Sequence, residues 1–428
     1  METFPGPNFF TWQSYVARVP SAPKGSLTLS LRRYHRAPAL LITARRRILS
    51  CHLLPGSRVL YSPTDFCIFA GYNNIEYNRY EMRLPAEWEK QGAVQLTWPD
   101  DTTPWYELEK VQECYAQIAA AVLEHESLLI VTTSIPETSA RLAQIADEKG
   151  LNIDIDKIHF CECPINDTWA RDHGAISVYG DNGEKYLYDF VFNGWGLKFA
   201  SDKDNQITKT VFFANMFAED VACVDMRPFV LEGGSIDTDG QGTLITTREC
   251  LCSLNRNEYL TQEEIEGELK QAFGLERVIW LEHGGIAGDD TDSHVDILAR
   301  FCDADTIAYT QCEDESDENW PELHAMEQQL KTLKTLDGKP YKLVPLPLPD
   351  ALYLDDYRLP GSYANFLIIN GAVLVPGSGS AKDEIVRERL QAVFQDRTVK
   401  IIDCRPLLSG HGGLHCVTMQ FPEGWLAE

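Results

Sequence analysis

From about residue 105 onward, apolar positions follow two periods. Leu108, Val111, Tyr115, Ile118 and Val122 recur at helical spacing and predict an amphipathic helix over 107–125, leading to an apolar strand over 128–132. A second helix begins at Pro136, whose fixed φ suits a first helical turn, and ends near Gly150 before a strand over 158–163. Thr261-x-x-Glu264 is a capping box that opens a third helix through Ile265, Leu269 and Phe273, feeding a strand over 278–281. A fourth helix near 322–335 precedes a strand over 341–346, and a fifth over 381–394 precedes a strand over 399–403. Between them, Tyr186, Tyr188, Phe190 and Phe192 alternate with a period of two, and Asn370-Gly371 joins two apolar runs as a type I′ hairpin would. Five helix–strand units interleaved with hairpins predict an α/β architecture with mixed sheets. No linker-like stretch interrupts the chain after residue 82, so one domain is expected, and the units share no obvious sequence identity.

Charge divides the chain where periodicity does not. The 428 residues carry a formal charge of -26, yet residues 1–81 hold ten Lys and Arg against four Asp and Glu. That segment has Arg clusters (Arg32, Arg33 and Arg36; Arg45 to Arg47), scattered prolines and no sustained period. It reads as an unassigned extension: either an Arg-rich targeting segment, or the product of a start codon placed too early, with Met82 opening the 82–428 catalytic domain. The second reading is preferred, because ordinary globular composition begins at Met82. The acidic remainder argues against nucleic-acid binding, which needs a basic surface, and suits a small cationic partner. A mean hydropathy of -0.25 and the lack of an apolar run near the roughly 18 residues of a membrane span predict a protein that does not enter membranes.

Twelve cysteines are too sparse in this length for a disulfide scaffold, and reduced thiols in a cytoplasmic protein are expected. Cys161/Cys163 and Cys250/Cys252 are C-x-C pairs in apolar stretches, where strand alternation would place each pair on one face. Zinc sites favour wider spacing, so these are read as buried structural thiols.

Polar residues of chemical interest cluster after the predicted strands: Asp172 in NDTWARD, Glu232 before Gly233-Gly234, His294 and Asp296 in DDTDSHVD, and Cys416 after Gly410–Gly413. Each has a plain alternative. Cys416 alone reads equally as a buried thiol, His294-x-Asp296 as a polar pair sharing a strand face or as half of a metal site, Glu232 as a turn cap, and Asp172 as an ion pair with Arg171. Together, a thiol, an imidazole and three carboxylates form the set needed to attack a carbon bearing positive charge. A guanidinium is such a carbon: planar, cationic, and matched by carboxylates in bidentate fashion. Thiolate addition with ammonia as leaving group would follow once a histidine supplies the proton.

The stretches RLPAEWEKQGAVQLTWP, NDTWARDHG, VLEGGSIDTDGQGTLITTRECLCSLNRN, DDTDSHVD, SYANFLIINGAVLVP and GHGGLHCVTMQFP occur in the order found in agmatine deiminases, and over residues 82–422 the chain resembles that family. The wider group includes the Porphyromonas-type peptidylarginine deiminases within the guanidino-group-modifying superfamily. The resemblance implies a five-bladed α/β propeller, pentein-like, with the active site on its central axis. It also implies that Cys416 is the nucleophile, His294 the proton shuttle, and Asp172, Asp296 and Glu232 the groups that hold guanidinium nitrogens. Trp169 would line the substrate's alkyl chain, and the resemblance implies no metal or organic cofactor.

Three departures, GHGGLHC for GGGNIHC, SHVD for GHVD and RDHGAI for RDTGPT, place His411, Ser293 and His173 where smaller or less polar residues are usual, and bear on the far end of the substrate. The expected activity is hydrolysis of agmatine to N-carbamoylputrescine and ammonia. Peptidylarginine or another guanidino compound is the alternative substrate, and a non-catalytic module that binds a cation is the alternative class. Nothing in the sequence counts subunits, so a homo-oligomer stays open.

Overall fold

The computed structural model describes residues 82–427, so the expectation for residues 1–81 lies outside the described part. Five mixed sheets, each with an antiparallel edge strand and a parallel crossover, carry the fold. In the first, the last strand of the chain, Thr418–Pro422, pairs antiparallel with Gln91–Thr97, which continues in parallel to Ser127–Thr132 and Ile158–Glu162. The second orders Ile176–Tyr179, Lys185–Val191 and Val221–Val230, and the third Ile236–Thr238, Thr243–Thr247 and Arg277–Leu281. The fourth contains Ala299–Asp303, Thr306–Gln311 and Lys342–Pro347, and the fifth Leu367–Ile369, Ala372–Gly377 and Thr398–Asp403.

The helices form where local sequence and burial agree. Leu108–Leu123 buries Val111, Tyr115, Ile118 and Val122 on one face. Ile135–Lys149 has Pro136 in its first turn and ends on Gly150, whose φ of 65° lets its N–H close onto Ala146 O. Both halves of the Thr261/Glu264 capping box are made at the start of Gln262–Phe273. Lys382–Val393 lies inside the expected 381–394. At Asn370-Gly371 the pairing of Ile369 with Ala372 closes the two-residue hairpin, but only Gly371, with a φ of 73°, takes a positive φ, so the turn is not the expected type I′.

Four expectations need correction. The first two helix–strand units build one sheet, not two. The second sheet instead uses a crossover invisible to periodicity, because its helix, Ile207–Phe213, has only seven residues and its Phe213 is 76% exposed. The fourth helix is Trp320–Leu330, ending short of 335 because the chain turns into the isolated bridge between Lys334 and Pro340. His294 and Asp296 do not lie on a strand: His294 caps the 3₁₀ turn Val295–Ile297, which contains Asp296. Cys250 lies in the short helix Arg248–Leu251, with Cys252 at its end, so this pair shares no strand face.

Candidate active site

Each sheet delivers one functional segment, and always in the turn that enters its antiparallel edge strand. The one-turn helix Ala170–His173 carries Asp172 into Ile176–Tyr179, and Glu232 precedes the turn Gly233–Ser235 that enters Ile236–Thr238. The turn Val295–Ile297 enters Ala299–Asp303, Asn365 precedes Leu367–Ile369, and Cys416 precedes Thr418–Pro422. Five recurrences of one topological position bring these residues to a common place.

Asp172, Glu232, His294, Asp296 and Cys416 are all at most 5% exposed. His294 Nδ1 lies 3.7 Å from Asp172 Oδ1, and Cys416 Sγ lies 3.7 Å from Asp296 Oδ2. Gly234 sits between them: a Cβ there would meet His294 Nδ1 at 2.6 Å, Asp172 Oδ1 at 2.8 Å and Asp296 Oδ2 at 3.1 Å, so only glycine lets the three groups converge. The Gly234 N–H and the Trp195 indole N–H donate to the two oxygens of Asp172 at 3.0 and 2.9 Å. Asp296 Oδ1 and both ring nitrogens of His294 are buried without a hydrogen-bond partner. Unsatisfied buried polar atoms are costly, and Asp296 Oδ1 is an acceptor that an N–H donor of a ligand would satisfy.

Electrostatics point the same way. Burial, reinforced by the like charges of Asp296 and Glu232, pushes Asp172 up to about 6 against the partial relief of His294. Burial also pushes the Cys416 thiol well above its ordinary value, with Asp296 and Asp172 adding to the rise. For His294, burial opposes the charged ring but is outweighed by Asp172, Cys250 and Glu232, leaving it well above the usual imidazole range. The centre is therefore short of positive charge, and a cation arriving between Asp172 and Asp296 would relieve it.

Several contributors were not singled out from sequence. Asn365 Nδ2 donates to Cys416 Sγ at 3.2 Å, while its Oδ1 accepts from His415 N at 2.9 Å. Arg256 Nε lies 3.0 Å from both oxygens of Glu232, and its other nitrogens bind Asp292 Oδ2 and Thr291 O. Glu87 and His415 lie behind Asp296. All four sit inside the quoted motifs, in SYANF, SLNRN, PAEW and LHC, but nothing in a linear pattern says which polar residue of a motif points inward. Glu232, Cys250 and His294 present ligand atoms within 4.8 Å of one another and could hold a metal ion. Arg256 already occupies the Glu232 oxygens and would compete for that site.

Trp169, 5% exposed, lies beside Trp105 and Trp195 with ring centroids 5.3 and 6.4 Å away. A Cβ on Gly412 would come within 2.2 Å of the Trp169 ring, and one on Gly410 within 2.6 Å of Trp105, which explains the glycines before Cys416. Of the three departures, only His411 keeps partly exposed contacts at this aromatic rim, with its ring 5.4 Å from Tyr357 and Nδ1 2.8 Å from Gly288 O. His173 packs edge-on to Phe192 and is pushed down to about 3 by burial, and Ser293 Oγ donates to Glu249. These two are therefore tied into the packing around the site.

The sequence pattern of the Porphyromonas-type peptidyl-arginine deiminase family matches residues 83–422. The agmatine deiminase of Ectopseudomonas mendocina (strain ymp) is 31% identical over 363 residues, covering 79% of this chain and 95% of the relative. Among solved structures, a Porphyromonas gingivalis protein provisionally named an arginine deiminase is 48% identical with a TM-score of 0.75, covering 81% of this chain and 100% of that one. The substrate-bound cysteine-to-serine variant of C. jejuni agmatine deiminase is 35% identical with a TM-score of 0.73, covering 82% and 99%.

Proposed function

The chain belongs to the Porphyromonas-type peptidyl-arginine deiminase family, and on that premise we propose that it hydrolyses agmatine to N-carbamoylputrescine and ammonia. The observation that carries the choice of substrate is that the cations around the site are committed. Arg171 Nε faces His415 O, its Nη1 faces Met419 Sδ, and its Nη2 lies 3.6 Å from Glu87 Oε2. Arg256 is spent on Glu232, Asp292 and Thr291, and Lys198 on Asp290 and Asp292. A substrate carboxylate would be left without a partner, at a cost of several kcal/mol in a buried site. Agmatine has a guanidinium and no carboxylate. The Trp169 slot suits its bare alkyl chain.

In the proposed reaction the guanidinium lies between Asp172 and Asp296. Its charge offsets the carboxylates that keep Cys416 protonated, so the thiol gives up its proton to solvent as substrate binds. The thiolate sulfur bonds to the guanidinium carbon, His294 gives its proton to the departing nitrogen, and ammonia leaves an amidino-thioether on Cys416. His294, now neutral, takes a proton from water, whose oxygen bonds to the same carbon. The C–S bond breaks, the added hydroxyl gives its proton to solvent, and the neutral ureido product departs, restoring the thiolate. Asn365 donates to the sulfur throughout, and Glu232, set by Arg256, holds a further nitrogen. Five sheets of like topology, each presenting its edge-strand turn, support a five-bladed propeller with these residues on its axis. The catalytic unit is the stretch from Met82 onward.

The test is ammonia release from agmatine, free arginine and a peptide with internal arginine at equal concentration. Agmatine is expected to lead free arginine by about 100-fold in kcat/KM or more. Faster turnover of the peptide would move the assignment to protein citrullination.

A further inference from the structure

Behind the reacting centre, Asp296 is tied into a second line of charge. Its Oδ2 lies 2.8 Å from His415 Nδ1, and His415 Nε2 lies 2.7 Å from Glu87 Oε2. The ring is 2% exposed and Asp296 fully buried. A neutral imidazole has one N–H, and would turn a lone pair toward one of these carboxylates. Glu87 is in no position to supply the missing proton. Its Oε2 also lies 2.9 Å from Arg300 Nη2, its Oε1 accepts from Ile368 N at 2.8 Å, and Arg171 Nη2 stands 3.6 Å away. Burial favours its neutral form but is outweighed by Arg300, His415 and Arg171, holding the carboxyl well below its ordinary range. Both ring nitrogens of His415 therefore face a carboxylate oxygen at hydrogen-bond distance.

We propose that Glu87 and His415 are positioning residues of the reaction: an imidazolium clamped between two carboxylates fixes Asp296 through Oδ2 and leaves Oδ1 for the guanidinium. Oδ1 is the oxygen with no partner in the protein, and Oδ2 is the one 3.7 Å from Cys416 Sγ. The clamp sets the carboxylate's rotation relative to the nucleophile. Glu87 touches neither sulfur nor substrate and acts only through His415. This deepens the deiminase reading and rests on it.

The experiment compares Glu87→Gln, Glu87→Asp, His415→Gln and the Glu87→Gln/His415→Gln double variant for agmatine turnover and melting temperature. Histidine-selective ¹⁵N NMR of the wild type runs in parallel. Glu87→Gln is expected to fold and to lose about 10- to 100-fold in kcat with a smaller change in KM, the scale of a misaligned reacting group. Glu87→Asp is expected to recover part of the loss, and the double variant to be no slower than His415→Gln alone. A folded Glu87→Gln with kcat within about twofold of wild type, or single effects that multiply in the double variant, would overturn the proposal. If the variants do not fold, NMR decides: two protonated ring nitrogens on His415 are expected, and one bare nitrogen would refute the clamp. A wild type that releases ammonia from no guanidino compound defeats the deiminase reading instead, and leaves the NMR result standing on its own.

Discussion

Two clusters of buried charge lie back to back, joined at Asp296, and they are built in opposite ways. In the rear one, Arg300, with no exposed side-chain surface, pairs with Glu87 and Asp237, donates to Phe366 O and lies over the Phe366 ring, while His415 bridges Glu87 and Asp296. Carboxylates there have cations, and both Glu87 and Asp296 are held below their ordinary range despite burial. In the front cluster Asp172 is pushed up to about 6, the Cys416 thiol is pushed up as well, and Asp296 Oδ1 has no hydrogen-bond partner. Burying charge is tolerated when it is paired, so the rear cluster explains itself as architecture. The front cluster gathers carboxylates whose charge is only partly offset, an arrangement that a planar cation with several N–H donors would complement.

The comparison breaks most sharply at the nucleophile. Cys416→Ser should abolish ammonia release, because a serine hydroxyl near neutral pH cannot replace a thiolate. Retention of a tenth of wild-type activity would remove the covalent step from the reaction.

Next come paired substitutions, one on each side. Arg300→Met should destabilise the fold by about 3–5 kcal/mol, the usual cost of leaving buried carboxylates uncompensated. Asp172→Asn should leave the melting temperature near wild type and instead cost about 2–5 kcal/mol in kcat/KM. Denaturation and steady-state kinetics on the two variants would show whether the clusters differ as claimed. If Asp172→Asn unfolds the protein and Arg300→Met does not, the contrast is inverted.

A smaller effect separates the clusters by pH. Asp172 has a raised folded-state value, about 6 against an ordinary 3.8, so the folded protein binds its proton more tightly than the unfolded chain. The stabilisation is then full below about pH 4 and lost as pH rises through about 6. Wild-type melting temperature should therefore fall relative to Asp172→Asn between pH 4 and 7. Calorimetry of agmatine binding to Cys416→Ser at pH 6 should register proton release. Parallel pH curves for the two proteins would show that Asp172 ionises normally.

The smallest expected effect concerns the boundary. A protein beginning at Met82 should match the full chain in melting temperature and kcat/KM, because the Glu87 end of the rear cluster lies just inside it. Loss of folding on truncation would make residues 1–81 part of the working unit.

Much of this molecule is legible without coordinates wherever a signal is local. Helical periodicity, the Thr261 capping box, Pro136 and Gly150, and the Asn370-Gly371 hairpin depend on residues a few positions apart, and the structure follows them. The set Asp172, Glu232, His294, Asp296 and Cys416 was also readable, as chemistry recurring beside turns. The structure then brings Asp172, His294 and Asp296 together around Gly234, with Cys416 beside Asp296. What the linear chain could not carry was pairing between distant positions. Glu87 and His415 are 328 residues apart, and Asn365 reaches Cys416 across 51. The grouping of two helix–strand units in one sheet likewise depends on which strands share hydrogen bonds. A carboxylate is acid, base or strut according to the charges around it. The sequence determined which groups this protein possesses, and only the tertiary structure decided which have partners and which are left to bind a substrate, because desolvation and Coulomb energy depend on distance in space.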